Sequence, residues 1–142
     1  MADKPKLTLT IITQDKQLEP IEVESLTLPT ADGEITVLPG HIPLLSRLVT
    51  GEMRYRQKHD EHLFVIARGF ADVGPDNHIT LLVDAAVDAR EISVQKAEEA
   101  VKAAQHTMTQ TVDQRELMLA EASLKRALLE IKVAQKTKRA GI

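Results

Sequence analysis

The sequence predicts an all-β sandwich or barrel over residues 1–88, followed by an antiparallel two-helix hairpin over residues 89–142. Three observations carry this. Short apolar runs alternating with period two, punctuated by Gly, Pro, Asn and Asp, recur through the first 88 residues, as in a domain of many short antiparallel strands. Past Val87 glycine disappears until Gly141 and proline disappears altogether. In that second region the apolar spacing changes to three and four, the period of a helix.

Taken in order, Leu7, Leu9 and Ile11 alternate with Thr8, Thr10 and Ile12, which predicts a half-buried strand. Ile21 and Val23 repeat the alternation. Ser25 then breaks the count before Leu26 and Leu28 resume it, so a bulge or corner is expected near Ser25. Pro29 is expected to close that strand. Residues 32–43 concentrate turn chemistry around one short extended run. Asp32-Gly33 makes a tight turn, Ile35, Val37 and Leu38 extend the chain, and Pro39-Gly40 stops it with a fixed φ followed by a residue free to take φ > 0. The expected product is a projecting hairpin corner carrying Glu34 on one side of its tip and His41 on the other, with Pro43 biasing Ile42 towards extended geometry.

Residues 44–49 read equally as a helical turn or a strand, ended by Gly51. Residues 53–56 and 63–67 flank His59-Asp60-Glu61, a polar loop of hairpin length. Residues 69–73 follow as a strand, Gly74-Pro75-Asp76-Asn77 turns the chain, and residues 79–83 form a last strand rich in β-formers. In the helical region Val94, Ala97, Val101, Ala104 and Met108 form one stripe, with Ser93 as N-cap and Glu98 and Glu99 early in the helix. The β-branched and polar residues 107–112 interrupt it. Asp113 with Glu116 marks a capping-box start for the second helix, in competition with Thr111 and Gln114. Leu117, Ala120, Leu124, Ala127, Leu128, Ile131 and Ala134 form the second stripe. Alanine replaces leucine along much of this seam, and a buried CH₂ is worth only about 0.8 kcal/mol, so the hairpin is expected to dock lightly.

Composition removes several functions. Aromatic residues are 2% of the chain, too few for the stacking platforms of single-strand nucleic-acid binding. A net charge of -3 argues against phosphate-backbone binding, so no nucleic-acid partner is expected. Without cysteine there is no disulfide framework and no thiolate metal site. No run approaches the ~18 apolar residues of a membrane span. The N-terminus lacks an apolar signal core and an Arg/Ser-rich transit stretch, so any membrane association is expected to run through partners. Residues 113–142 hold seven bases and four acids, which makes that segment +3 and the remainder -6. A basic helix on an acidic protein suits an acidic partner surface.

The search for chemistry finds no phosphate loop and no dinucleotide fingerprint. His59, Asp60 and His62 form the one close group of metal-ligand types. They fall in and beside the polar loop without a further partner at motif spacing, and are read as solvated. Ser25, Ser46, Ser93 and Ser123 sit in no nucleophile elbow. No catalytic constellation emerges, and no metal or cofactor is expected.

With both parts in place, the chain resembles the epsilon-subunit family of the bacterial F-type ATP synthase. The resemblance rests on Leu28-Pro29 followed by Asp32-Gly33-Glu34-Ile35-Thr36-Val37-Leu38-Pro39-Gly40-His41-Ile42-Pro43-Leu44-Leu45. It rests further on Gly69-Phe70-Ala71-Asp72-Val73, on Ile79-Thr80-Leu81-Leu82-Val83-Asp84-Ala85-Ala86 and on Leu124-Lys125-Arg126-Ala127. It implies a non-catalytic central-stalk subunit, peripheral on the cytoplasmic face of the bacterial plasma membrane; a plastid version fits the same residues. It implies that the sandwich binds the gamma subunit and the c-ring, with Glu34, His41, Asp32 and Leu38 at that interface, and so couples ring rotation to ATP synthesis. It also implies that the hairpin extends to the alpha and beta subunits and restrains ATP hydrolysis, with Lys125, Arg126, Lys132 and Lys136 as the basic contacts.

One family pattern fails. Members that bind ATP on the hairpin carry Ile/Leu-Asp-x-x-Arg-Ala, where this chain has Ile92-Ser93-Val94-Gln95-Lys96-Ala97, and a further family arginine falls on Leu119. Lys96 and Arg126 are the remaining cations, and lysine lacks the bidentate fork of arginine, so weak or no ATP binding is expected. The alternative outside the family is a free-standing adaptor whose basic hairpin binds an unrelated acidic protein.

Overall fold

Ten strands and two α-helices make up the part of the chain that the computed structural model describes, residues 5–139 with the side chain of Arg139 excepted. The readings that involve residues 1–4 and Gly141 lie outside it. The chain divides into two compact units, the first ending at Asp88 and the second beginning at Ala89.

In the first unit, β1 (Leu7–Ile12), β2 (Ile21–Val23), β3 (Ser25–Thr30), β4 (Gly33–Val37), β5 (Leu44–Leu48), β6 (Gly51–Gln57), β7 (Asp60–Ile66), β8 (Gly69–Val73), β9 (His78–Val83) and β10 (Ala86–Asp88) join in one sheet. Their order is β10-β7-β6-β3-β5-β8-β9-β1-β2, and β4 pairs with β3 alone. Period-two alternation drives the folding of this sheet around one core. Leu7, Leu9 and Ile11 on β1, Leu26 and Leu28 on β3, and Ile79 and Leu81 on β9 are all buried in it.

The corner expected near Ser25 falls at Glu24, where the chain leaves β2, paired with β1, for β3, paired with β6. The Glu24 N–H bonds the Arg56 carbonyl there at 2.8 Å. Pro29 does not close its strand, because β3 runs on to Thr30. The Pro29 carbonyl accepts the Val49 N–H at 3.0 Å, so its backbone polar side faces away from β4 and the missing N–H costs the β3–β4 ladder nothing. Residues 44–48 resolve as strand β5. The expected antiparallel arrangement also has an exception: β1 runs parallel to β9, from Thr8↔His78 to Ile12↔Leu82. These strands are joined through nearly the whole unit, so no hairpin dictates their relative direction.

The polar loop is shorter than expected. Asp60 and Glu61 belong to β7, paired with Gln57 and Arg56, which leaves Lys58 and His59 as the turn. His62 is half-buried rather than fully solvated: its ring stacks on Tyr55 at 4.9 Å and its Nδ1 is buried.

In the second unit a 3-10 turn (Ala89–Glu91) precedes α1 (Val94–Gln110) and α2 (Gln114–Arg139). Ser93 caps α1 as expected, its Oγ accepting the Lys96 N–H at 3.2 Å. The interruption expected over residues 107–112 is shorter and later, at residues 111–113. Helix α1 runs to Gln110, and Thr111 ends it in extended geometry while its N–H still bonds the Thr107 carbonyl at 3.0 Å. β-branched residues cost a formed helix only tenths of a kcal/mol each, roughly, less than packing against a neighbour returns. At the start of α2 Asp113 is the cap, and Thr111 supports it from outside the helix, its Oγ1 accepting the Asp113 N–H at 3.1 Å. Asp113 Oδ1 accepts the Arg115 N–H at 2.9 Å, while Glu116 receives the Thr111 hydroxyl at 2.7 Å.

The three-residue connection makes the helices antiparallel, and they pack on each other along their alanines. Ala97 and Ala104 on α1 and Ala120 and Ala127 on α2 are buried. Each pair is seven residues apart, which matches a heptad seam of small residues and lets two helices approach closely. Leu128 departs from the predicted stripe: it is 51% exposed, because it lies one residue past Ala127 and so about 100° around the helix from a narrow seam. Val133 and Thr137, four apart on another face of α2, are buried instead.

Candidate interaction surfaces

The stretch from Asp32 to His41 forms an edge rather than a tip. β3 and β4 are joined by the two-residue turn Ala31-Asp32, closed by the pair Thr30↔Gly33 with Gly33 at φ 119°, a value that favours glycine. The Thr30 hydroxyl donates to the Gly33 carbonyl and accepts the Asp32 N–H at 3.3 Å, which fixes the turn from inside. Glu34 stands near this end of β4. His41 stands in the loop beyond the other end, so the two residues flank a strand instead of sharing one corner. Between them Leu38 is exposed and Val37 is in the core. Among the described residues β4 has β3 as its one neighbour, so its far edge carries free backbone groups.

Two side chains from outside the stretch hold it. Arg54 on β6 reaches across β3 to the Glu34 carboxylate at 2.8 Å and lies 3.8 Å from Glu52. The Glu34 hydrogen bond is the largest influence raising the Arg54 pKa; partial burial opposes it, and the charges of Glu34, Glu52 and Glu61 add to it. Asn77, in the β8–β9 turn, accepts the Gly40 N–H at 2.7 Å. Neither residue is singled out by sequence patterning, since Arg54 reads as an ordinary outward residue of a strand and Asn77 as an ordinary turn residue.

A second surface has a weak signal in the sequence. Leu45 on β5, Phe70 on β8 and Leu82 on β9 are 71%, 52% and 51% exposed. The pairs Arg47↔Phe70, Phe70↔Leu82 and Ile12↔Leu82 run straight across four strands, so these side chains share one outer face, with Leu45 one step along. Apolar residues at outward positions of an alternating strand are the clue that sequence reasoning passed over.

On the second unit Lys125 and Lys132 are exposed, whereas Arg126 is drawn along its own helix to Glu130 at 3.1 Å and Lys136 is engaged in an interaction of its own. Lys96 is exposed on the first turn of α1. Leu119 lines a shallow groove between the helices with Ala100, Ala103 and Ala104 on one side and Glu116, Ala120 and Ser123 on the other. Among the described residues no group of three His, Cys, Asp or Glu side chains could hold a metal ion, and no helix is long and apolar enough to cross a membrane.

Comparison with known proteins agrees with this architecture. Residues 6–89 match the family model for the ATP synthase delta/epsilon chain beta-sandwich domain. The ATP synthase epsilon chain of Syntrophobacter fumaroxidans is 41% identical over 137 residues, covering 96% of this chain and all of that one. The epsilon chain of Pediococcus pentosaceus is 33% identical over 139 residues, covering 95% of this chain and 99% of that one. Among solved structures, a chain in the cryo-EM structure of the Euglena gracilis mitochondrial ATP synthase, comprising OSCP, F1 and c-ring, superposes with a TM-score of 0.73 at 25% identity. It covers 97% of this chain and 84% of the matched chain. A sandwich followed by a helical hairpin, matched along nearly its whole length by these relatives, places the chain in the epsilon-chain family of the F-type ATP synthase, as a non-catalytic subunit.

Proposed function

We propose that this chain is the stalk subunit that joins the rotor's gamma subunit to the c-ring, and that its helical hairpin restrains ATP hydrolysis. The observation that carries the first part is the apolar face of Leu45, Phe70 and Leu82. Three large apolar side chains gathered on one outer sheet face are the anchor residues of a protein interface, and the charged Arg47 and Asp72 beside them suit its polar rim. The gamma subunit is the occupant that family membership supports. The edge formed by Asp32, Glu34, Leu38 and His41 then meets the polar loops of the ring. Its closed turn, the Arg54 pair and the Asn77 bond support a surface that resists torque.

The hairpin's part rests on its composition. An alanine seam buries little apolar area, and the exposed Lys125 and Lys132 present positive charge to acidic segments of the catalytic head. Arg126 joins them only by leaving Glu130. The same pairing opposes a nucleotide site on the hairpin, because Arg126, the arginine left at the positions of the family's nucleotide pattern, already has a carboxylate partner. Calorimetry giving micromolar affinity for ATP would overturn that point.

The test of the docking face is binding of gamma to the full chain carrying Phe70→Ser and Leu82→Ser. Both side chains point outward, so the fold is expected to persist while affinity falls at least about tenfold. Unchanged affinity refutes the assignment. For the hairpin, an enzyme assembled with the chain ended after Asp88 is expected to hydrolyse ATP faster than one with the full chain, and equal rates refute the inhibitory role.

A further inference from the structure

Two turns from distant parts of the chain meet at Asn77. Its backbone has φ 61°, in the left-handed region, and Gly40 in the β4–β5 loop has φ 85°. The Asn77 Oδ1 accepts the Gly40 N–H at 2.7 Å, across 37 residues of sequence, while its own carbonyl accepts the Thr8 N–H at 2.8 Å. One residue therefore ties the β4–β5 loop and the start of β1 to the β8–β9 turn. Few residues satisfy both demands. Asn, Asp and Gly tolerate left-handed geometry, and of these only Asn and Asp carry a short acceptor.

The loop's other bonds are local. The His41 N–H bonds the Leu38 carbonyl at 3.1 Å, and His41 Nδ1 lies 2.7 Å from the Ile42 carbonyl. A carbonyl only accepts, so Nδ1 is the donor in this contact. These contacts shape the loop without attaching it to the sheet. The Asn77 bond attaches it.

We propose that Asn77 is a positioning residue for His41: it latches residues 38–43 to the β8–β9 turn, so that His41 and the exposed Leu38 and Ile42 present a fixed surface to the ring. This rests on the reading that the β4 edge and its loop form the ring contact. It adds that the stiffness of the loop is supplied by a side chain 37 residues away.

Asn77→Gly keeps the left-handed backbone and deletes the acceptor; Asn77→Asp keeps both. In the full chain, Asn77→Gly is expected to speed hydrogen exchange at the Gly40 amide about fivefold or more, while Asn77→Asp keeps it slow. Tyr55 emission, which reports on the folded sandwich, should show both variants fully folded at the temperature of the exchange measurement. In the assembled enzyme, Asn77→Gly is expected to lower the protons pumped per ATP hydrolysed, with Asn77→Asp restoring the ratio. Unchanged exchange at Gly40 overturns the latch. Faster exchange with normal pumping supports the latch as geometry and overturns the ring-contact reading on which its role in coupling depends.

Discussion

Gly69 is where the sheet leaves least room, and Gly69→Ala measures that directly. The residue pairs with Val83 on β9 and with Leu48 on β5. A Cβ built on it would lie 2.0 Å from the Leu82 carbonyl oxygen, 2.7 Å from the Val83 Cα and 2.9 Å from the Leu82 carbonyl carbon. All three are backbone atoms, so no side chain can swing aside. Ordinary contact needs about 3.5–4.0 Å, so β8 must part from β9 by more than about 1 Å at this end. Overpacking of this kind costs about 1–3 kcal/mol, and a ladder bond lost with it about 0.5–1.5 more. Alanine returns about 0.4–1 kcal/mol by restricting the unfolded chain. The net loss lies between about 0.5 and 4 kcal/mol, centred a little above 2, and that centre in a unit of this size lowers the melting temperature by about 10–20 °C. The assay is built in. Tyr55 is the one tyrosine, there is no tryptophan, and its ring is buried against Phe64 and His62, so tyrosine emission reports on the sandwich without interference from the helices. A midpoint within about 2 °C of the wild type would show that the strands do not approach this closely.

Other outcomes follow from single contacts. Leu28→Ala empties part of the central core and is expected to cost about 2–5 kcal/mol, read as a lower denaturant midpoint at unchanged slope. Ser93→Ala removes the α1 cap, at about 1 kcal/mol, and should reduce helical circular dichroism on warming before the sandwich melts. Glu34→Gln breaks the Arg54 pair, but the carboxylate is more than half exposed, so the stability change should stay below about 1 kcal/mol while any effect on the assembled rotor is larger. A stability loss well above that would mean the pair is structural.

Much of this protein was legible residue by residue. The alternation of Leu7, Leu9 and Ile11 puts one face of β1 in the core, and Ser93 starts α1 where a capping side chain must. The heptad of alanines at 97, 104, 120 and 127 marks the helix seam. The misses have physical causes. Pro29 reads as a strand end because a lone proline says nothing about which way its backbone polar side faces. Spacing alone puts Leu128 in the seam because a stripe drawn from it is wider than two closely packed helices need.

The functional surfaces divide the same way. Period, capping and turn chemistry are local, so the chain by itself determined its two parts, the existence of nearly every strand and the tight turn before β4, which forms at Ala31-Asp32, one residue ahead of Asp32-Gly33. Pairing is not local. That β1 lies parallel to β9, that Phe70 and Leu82 meet on one outer face, that Arg54 finds Glu34 across an intervening strand and that Asn77 holds Gly40 depend on which strands become neighbours. Only the assembled sheet decides that, because each contact joins residues whose spacing in sequence carries no trace of their distance in space.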